Sequence, residues 1–353
     1  MSGETQALAL PPPQRNYSPW YQWMTRLNAT THEDPLPEGD LTSLPGWLDG
    51  RRERLVELLG PTPTPVPLNV ETVESVPCDG YRRDKIVFDT EDTMSVPSYL
   101  LVPDALAAPG AAVLACHGHG PGKSQAVGLE HTDAPNSDYA LQLVREGYVV
   151  LAPDLRCFGE RQDWNPEDHY ACDTNLVHAV MAGWNPLGQN VWDLARCLDF
   201  LSGHPLVDPQ RIGMVGLSYG GTVTLFTAAS DSRVAAAVVS GYFSSWAESH
   251  KMPWNMCGSQ VAWGMLGRLE HEDLGALIAP RPLLIETGTE DPLFPLPAAT
   301  ESVRRTRLVY EHGGVGDRLE HDVFEGGHQW HGVAALAFLN RWLSHTPRSG
   351  RVT

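Results

Sequence analysis

The sequence predicts an α/β fold: a mostly parallel central sheet flanked by helices, with an N-terminal extension and strand-edge insertions that form a lid. Three observations predict it. Short apolar runs of strand length alternate with helix-spaced apolar segments from Ala111 onward, and such alternation builds parallel sheets. The stretch Ile212-Gly213-Met214-Val215-Gly216-Leu217-Ser218-Tyr219-Gly220-Gly221 reads as a strand, a sharp turn and the start of a helix. Several apolar runs end in Gly, His or Asp, which places polar chemistry at the C-terminal edge of the sheet.

The 353 residues suit one large domain with additions. Residues 1–70 form the extension, 71–347 the main domain with insertions at 162–189 and 242–273, and 348–353 a tail. With 25 Lys and Arg against 43 Asp and Glu, the formal net charge is −18. That excludes nucleic acid and anionic membrane as partners, since both require a basic surface. The N-terminus carries neither a basic n-region nor an apolar h-region, and no apolar run is long enough to span a bilayer. A cytoplasmic protein with a small-molecule partner is the expectation. Cys78, Cys116, Cys157, Cys172, Cys197 and Cys257 are scattered without a C-x-x-C pair, which points to free thiols rather than a disulfide framework or a metal site.

Taken in order, the extension is punctuated by Pro11-Pro12-Pro13 and by Pro61, Pro63, Pro65 and Pro67, with Tyr17, Trp20, Tyr21 and Trp23 between them. Trp47 to Leu59 reads as an amphipathic helix, and the aromatics are expected to pack the extension onto the main domain, the alternative being a subunit contact or the rim of the active site. Val70–Val76, Lys85–Phe88 and Ser98–Val102 read as strands. Ala111–Cys116 is a buried strand ending in His117-Gly118-His119-Gly120, and Tyr148–Ala152 is another, ending in Asp154-Leu155-Arg156-Cys157-Phe158-Gly159-Glu160. Asp154, Arg156 and Glu160 thus lie near the site by topology, either as substrate contacts or as a salt-bridged loop. Val191, Leu194, Leu198 and Leu201 mark a core-facing helix, and Val234–Val239 a further strand. The insertion at 242–273 carries Trp246, Met252, Trp254, Met256, Trp263 and Met265, either a small apolar excursion or a pocket wall; Trp246 is a candidate substrate contact.

Ser218 sits at the centre of G-x-S-x-G, where glycines allow the flanking backbone to close up. A serine hydroxyl needs a base to remove its proton. Histidine accepts and returns a proton near neutrality, and a buried carboxylate fixes its tautomer. Asp291, with Glu290 as the weaker alternative, stands in the acidic turn after Leu283-Leu284-Ile285, while Glu286 is too early. His328 follows Gly326-Gly327 after a strand that contains His321; His331 lies one turn on, at the final helix. The order Ser218, Asp291, His328 is that expected of such a triad. The oxyanion donors would be the main-chain N–H groups of Tyr219 and His119. His117 reads as a prop for its loop. His117 and His119 in H-x-H spacing lack a third ligand in the pattern, so neither a metal nor a cofactor is expected.

These motifs, with Gly327-His328-Gln329-Trp330, make the chain resemble the α/β-hydrolase superfamily over roughly residues 70–345. Within it the chain is similar to the dienelactone hydrolase-like and acetyl xylan esterase-like serine esterases. The resemblance implies an α/β-hydrolase fold and a serine hydrolase that cleaves a carboxylic ester, such as the acetyl ester of a small molecule or carbohydrate, through an acyl-enzyme. True dienelactone hydrolases use a cysteine nucleophile, and Ser218 departs from that. Acetyl xylan esterases of this shape are often oligomeric, which makes a homo-oligomer an open expectation. The alternatives are a serine peptidase or amidase of the same fold, without the propeller repeat such peptidases often carry, a non-catalytic binding module, and a chelator-sensitive metal hydrolase using His117 and His119.

Overall fold

The computed structural model describes residues 15–106, 108–130, 135–163, 170–251 and 255–343. Pro11–Pro13, Met252, Trp254, part of the 162–189 insertion and the tail lie outside them. Nine strands form one sheet: β1 (Glu71–Pro77), β2 (Tyr81–Glu91), β3 (Met94–Pro103), β4 (Gly110–Cys116), β5 (Val149–Pro153), β6 (Val207–Leu217), β7 (Val234–Ser240), β8 (Leu283–Gly288) and β9 (Leu319–Phe324). The helices are α1 (Pro19–Ala29), α2 (Leu44–Leu59), α3 (Lys123–Ala126), α4 (Tyr139–Arg145), α5 (Ala171–Met181), α6 (Pro186–Gly203), α7 (Tyr219–Ser230), α8 (Trp246–Ser249), α9 (His271–Ile278), α10 (Leu296–His312) and α11 (Val333–Leu343).

The strand order is β1-β2-β3-β5-β4-β6-β7-β8-β9. β1, β2 and β3 pair antiparallel, β3 joins β5 antiparallel, and every pair from β5 through β9 is parallel. The switch of strand order from β5 back to β4 and on to β6 opens a crevice at the C-terminal strand edge, where ligands of open α/β sheets bind. In β4, Ala112, Leu114 and Cys116 face one core and Ala111, Val113 and Ala115 the other. β5 does the same with Val149 and Leu151 against Val150 and Ala152. Both faces are therefore covered, which is why these strands read as unbroken apolar runs. One layer holds α2, α6, α7 and α9; the other holds α4 and α11.

The extension is anchored through α2 rather than through its first aromatics: α1 buries none of its residues and Tyr17, Trp20, Tyr21 and Trp23 stand exposed, contrary to expectation. Leu55 and Leu58 of α2 belong to the main core, and Asn185 Nδ2 donates to the Leu58 carbonyl at 2.7 Å. His32 joins Asp273 of α9 at 2.6 Å. Burial works against a charge on His32, but the hydrogen bond to Asp273 and its charge outweigh this and the pKa is raised above 6.5. A raised folded-state pKa stabilises the fold fully below the unfolded value, and that stabilisation is lost as pH rises through the folded value. Amide exchange around residues 30–36, corrected for intrinsic rates, should therefore accelerate as pH rises above about 6.5 and through the raised folded-state value. In His32→Gln the acceleration should be absent.

Candidate active site

Ser218 follows β6 and caps the start of α7 at φ +59° and ψ −119°, a conformation that a non-glycine residue adopts only when its surroundings force it. The surroundings do force it. A Cβ on Gly216 would lie 2.2 Å from the Gly220 carbonyl oxygen, and one on Gly220 would lie 2.0 Å from the Cys116 oxygen. Two backbone segments are thus pressed together with no room for a methyl group, which drives the serine out above the sheet edge. Gly220→Ala should cost at least roughly 3 kcal/mol or prevent folding, measured by denaturant unfolding. Gly203→Ala, at a helix end with nothing within 4 Å, is the neutral control.

The register of the parallel strands brings their C-terminal ends into line. Leu217 is paired with Ser240, Ser240 with Glu286, and Glu286 with Asp322. The Ser218 N–H donates to the Ser240 carbonyl at 2.9 Å. Next along, Gly241 packs against both sides of the site: a Cβ there would lie 3.1 Å from Leu217 Cδ1 and 3.1 Å from His328 Cε1. The His328 ring accordingly lies over the end of β7, to which the Ser218 backbone is bonded.

His328 Nδ1 is 2.8 Å from Asp291 Oδ2. The other Asp291 oxygen accepts the N–H groups of Leu293 at 2.8 Å and Phe294 at 3.2 Å, so the carboxylate is fixed by its own turn. Phe294 also stacks on the imidazole with centroids 5.8 Å apart. His328 Nε2 is buried and without a partner among the described residues. An imidazole held on one nitrogen by a carboxylate, with its other nitrogen free, is poised to exchange a proton with a hydroxyl.

Across the cleft, the turn after β4 lies against the elbow. A Cβ on Gly118 would lie 3.0 Å from the Leu217 oxygen and 3.4 Å from Ser218 Cβ. His117 is the prop the sequence suggested. Its Nε2 accepts the Leu155 N–H at 3.0 Å and its Nδ1 lies 2.7 Å from the Gly118 carbonyl. Accepting at Nε2 puts the proton on Nδ1, and burial holds the pKa below 6.5, which keeps the ring neutral. His119 is exposed, its ring 5.3 Å from that of Tyr219. Tyr219 opens α7, so its backbone stands at that helix's positive end.

Glu286, set aside in the sequence as too early for the orienting carboxylate, has a different role. It is 1% exposed, accepts the Gly332 N–H at 2.9 Å and the His331 N–H at 3.4 Å, and thereby anchors the segment carrying His328. Burial pushes its carboxyl above the ordinary range. Only its place near the C-terminal end of β8 hinted at this. His331 precedes α11, outside any helix, and bonds Asp322 at 2.6 Å. His321 stays in β9 against Thr287 at 3.1 Å, its pKa pushed by burial down to about 4.

Two candidate substrate contacts are corrected. Arg156 is buried and spent: it grips both oxygens of Asp193 at 2.7 and 2.9 Å and also pairs with Glu91. Trp246 is 1% exposed, donates its indole N–H to the Leu269 carbonyl at 2.6 Å and packs on His271. It supports the 242–273 insertion from beneath. Glu160 is half-exposed, but its carboxylate is shared by Lys123 and by Lys85 at 2.6 Å, and its N–H donates to Asp154 at 2.9 Å. The loop after β5 is a salt-bridged clasp.

A family model described as the Abhydrolase family matches residues 39–305, a span that holds Ser218 and Asp291 and stops before His328. The candidate hydrolase YtaP of Bacillus subtilis strain 168 is 29% identical over 306 residues, covering 83% of this chain and 99% of its own. Among solved structures, a candidate acetyl xylan esterase from Bacteroides fragilis NCTC 9343 superposes with a TM-score of 0.71 at 20% identity, covering 88% of this chain and 83% of that one. A glucuronoyl esterase from Solibacter usitatus gives 0.64 at 16% identity, covering 88% and 97%. These two likenesses are of fold.

Proposed function

Because this chain belongs to the Abhydrolase family, we propose that it is a serine carboxylic-ester hydrolase acting on small-molecule or carbohydrate esters, acetyl esters foremost, through an acyl-enzyme. The observation that carries the reading is the His328–Asp291 pair at 2.8 Å, beside a serine held at φ +59°. Ser218 Oγ attacks the ester carbonyl while His328 Nε2 takes its proton; Asp291 stabilises the resulting imidazolium. The N–H groups of Tyr219 and His119 receive the oxyanion. Collapse expels the alcohol, which leaves with the proton from His328. Water then enters, gives its proton to His328 and releases the acid, restoring Ser218. Esterase names on two structural neighbours support the choice of ester over amide.

The test is a panel of p-nitrophenyl and sugar acetates against aminoacyl amides, with fluorophosphonate labelling read by mass spectrometry. Turnover of acetates and a label on Ser218 are expected. Preferential turnover of the amides would replace this reading with a peptidase of the same fold. A folded protein that neither turns over nor labels would be a binding module.

A further inference from the structure

Three side chains that the ester chemistry leaves unused meet beside the cleft. The Sγ atoms of Cys172 and Cys257 and a ring nitrogen of His119 all lie within 4.8 Å of one another. They come from parts of the chain far apart in sequence: the turn after β4, the first turn of α5, and the loop before α9. Cys172 is 2% exposed and Cys257 8%, while His119 faces solvent.

The three are held in place by their neighbours. The Gly258 N–H donates to Asp173 Oδ1 at 2.7 Å, and a Cβ on Gly258 would lie 2.6 Å from Leu176 Cβ and 2.9 Å from the Cys172 oxygen. The backbones bearing the two cysteines are therefore in contact, and only glycine permits it. The Cys257 N–H donates to Gln260 Oε1 at 3.2 Å, and Gln260 Nε2 donates to Thr222 Oγ1 of α7 at 2.9 Å, which ties that loop to the elbow helix. The His119 ring is wedged between Phe158 and Tyr219, 5.3 Å from each.

Two sulfurs and an imidazole form a soft donor set that favours zinc-class cations over magnesium or calcium. Tetrahedral bonds of roughly 2.0–2.3 Å would draw such ligand atoms to within about 3.3–3.8 Å of one another, a small closure from the arrangement present. We propose that His119, Cys172 and Cys257 form a binding site for a thiophilic divalent cation of the zinc class, with its fourth position open toward solvent on the His119 side. Binding requires both sulfurs as thiolates and releases to water whatever protons they still carry. A bound ion would tie the turn after β4 to both strand-edge insertions. The inference goes beyond the ester reading and does not rest on it.

The experiment uses the reduced, chelator-stripped full chain titrated with Co2+. One equivalent should bind, with thiolate-to-cobalt charge-transfer absorption and the visible bands of a tetrahedral ion; Zn2+ should displace it and Mg2+ should not. Cys172→Ser and Cys257→Ser should each abolish the charge-transfer signal. Because a buried cysteine-to-serine change can itself loosen the fold, the unaltered chain provides a second measure. One equivalent of Zn2+ should slow alkylation of Cys172 and Cys257, mapped by mass spectrometry, and leave Cys78 unchanged. Absence of saturable binding, bands that survive both substitutions, protection that maps to other cysteines, or recovery of a Cys172–Cys257 disulfide from the reduced protein would each overturn the proposal.

Discussion

Ser218→Ala should lower kcat on p-nitrophenyl acetate by roughly 10^4-fold or more, to the residual rate that binding and oxyanion contacts supply without a nucleophile. The change removes one oxygen from a position whose backbone is set by Gly216 and Gly220, not by the side chain. The Ser218 N–H would keep its bond to the Ser240 carbonyl, so unfolding curves should be nearly unchanged. Fluorophosphonate labelling should disappear together with turnover. Activity retained by a folded Ser218→Ala protein would remove Ser218 from the chemistry altogether.

Asp291→Asn should lower kcat by about 10^4-fold, for a reason visible in the turn around it. The Oδ1 of Asp291 serves the N–H groups of Leu293 and Phe294, and Oδ2 serves His328. An asparagine keeps its carbonyl on the two N–H groups and so turns its NH2 toward His328 Nδ1. The imidazole must then accept on that side and carry its proton on Nε2, facing the serine with a donor where a base is needed. The geometry survives and the tautomer is wrong. KM should change little, and the rate should recover partly at high pH as hydroxide replaces the missing base. A variant that loses activity only in proportion to lost stability would show that Asp291 holds the turn and nothing more.

Much of this site was legible because its signals are local. The elbow needs two close-packed glycines around one serine, and that requirement is written in consecutive letters. Asp291 stands in the turn after the apolar strand β8, and His328 follows two glycines after β9, so the strand order put both on one edge. What could not be read depends on partners distant in sequence. Trp246 looks like a pocket wall until its neighbours Leu269 and His271 are known. Arg156 has the character of a carboxylate receptor, and only α6 reveals that Asp193 is the carboxylate received. Glu286 resembles any polar residue at a strand end, because its role is to hold main-chain N–H groups 45 and 46 positions away. For His119 the spacing lacked a third ligand, since its sulfur neighbours sit on two separate insertions. Periodicity reports which face of an element is buried, not what presses on it.

The way α2 is built into the molecule bears on how the gene should be handled. Leu55 and Leu58 fill the same apolar layer as Leu187, Leu194 and Leu198, and Arg196 reaches the Val66 carbonyl at 2.6 Å. A truncated product starting at residue 71 would leave a greasy scar along α6, with each missing leucine forfeiting about 1.5–3 kcal/mol. Such a fragment should accumulate in inclusion bodies, so a minimal soluble version must begin upstream of Leu44.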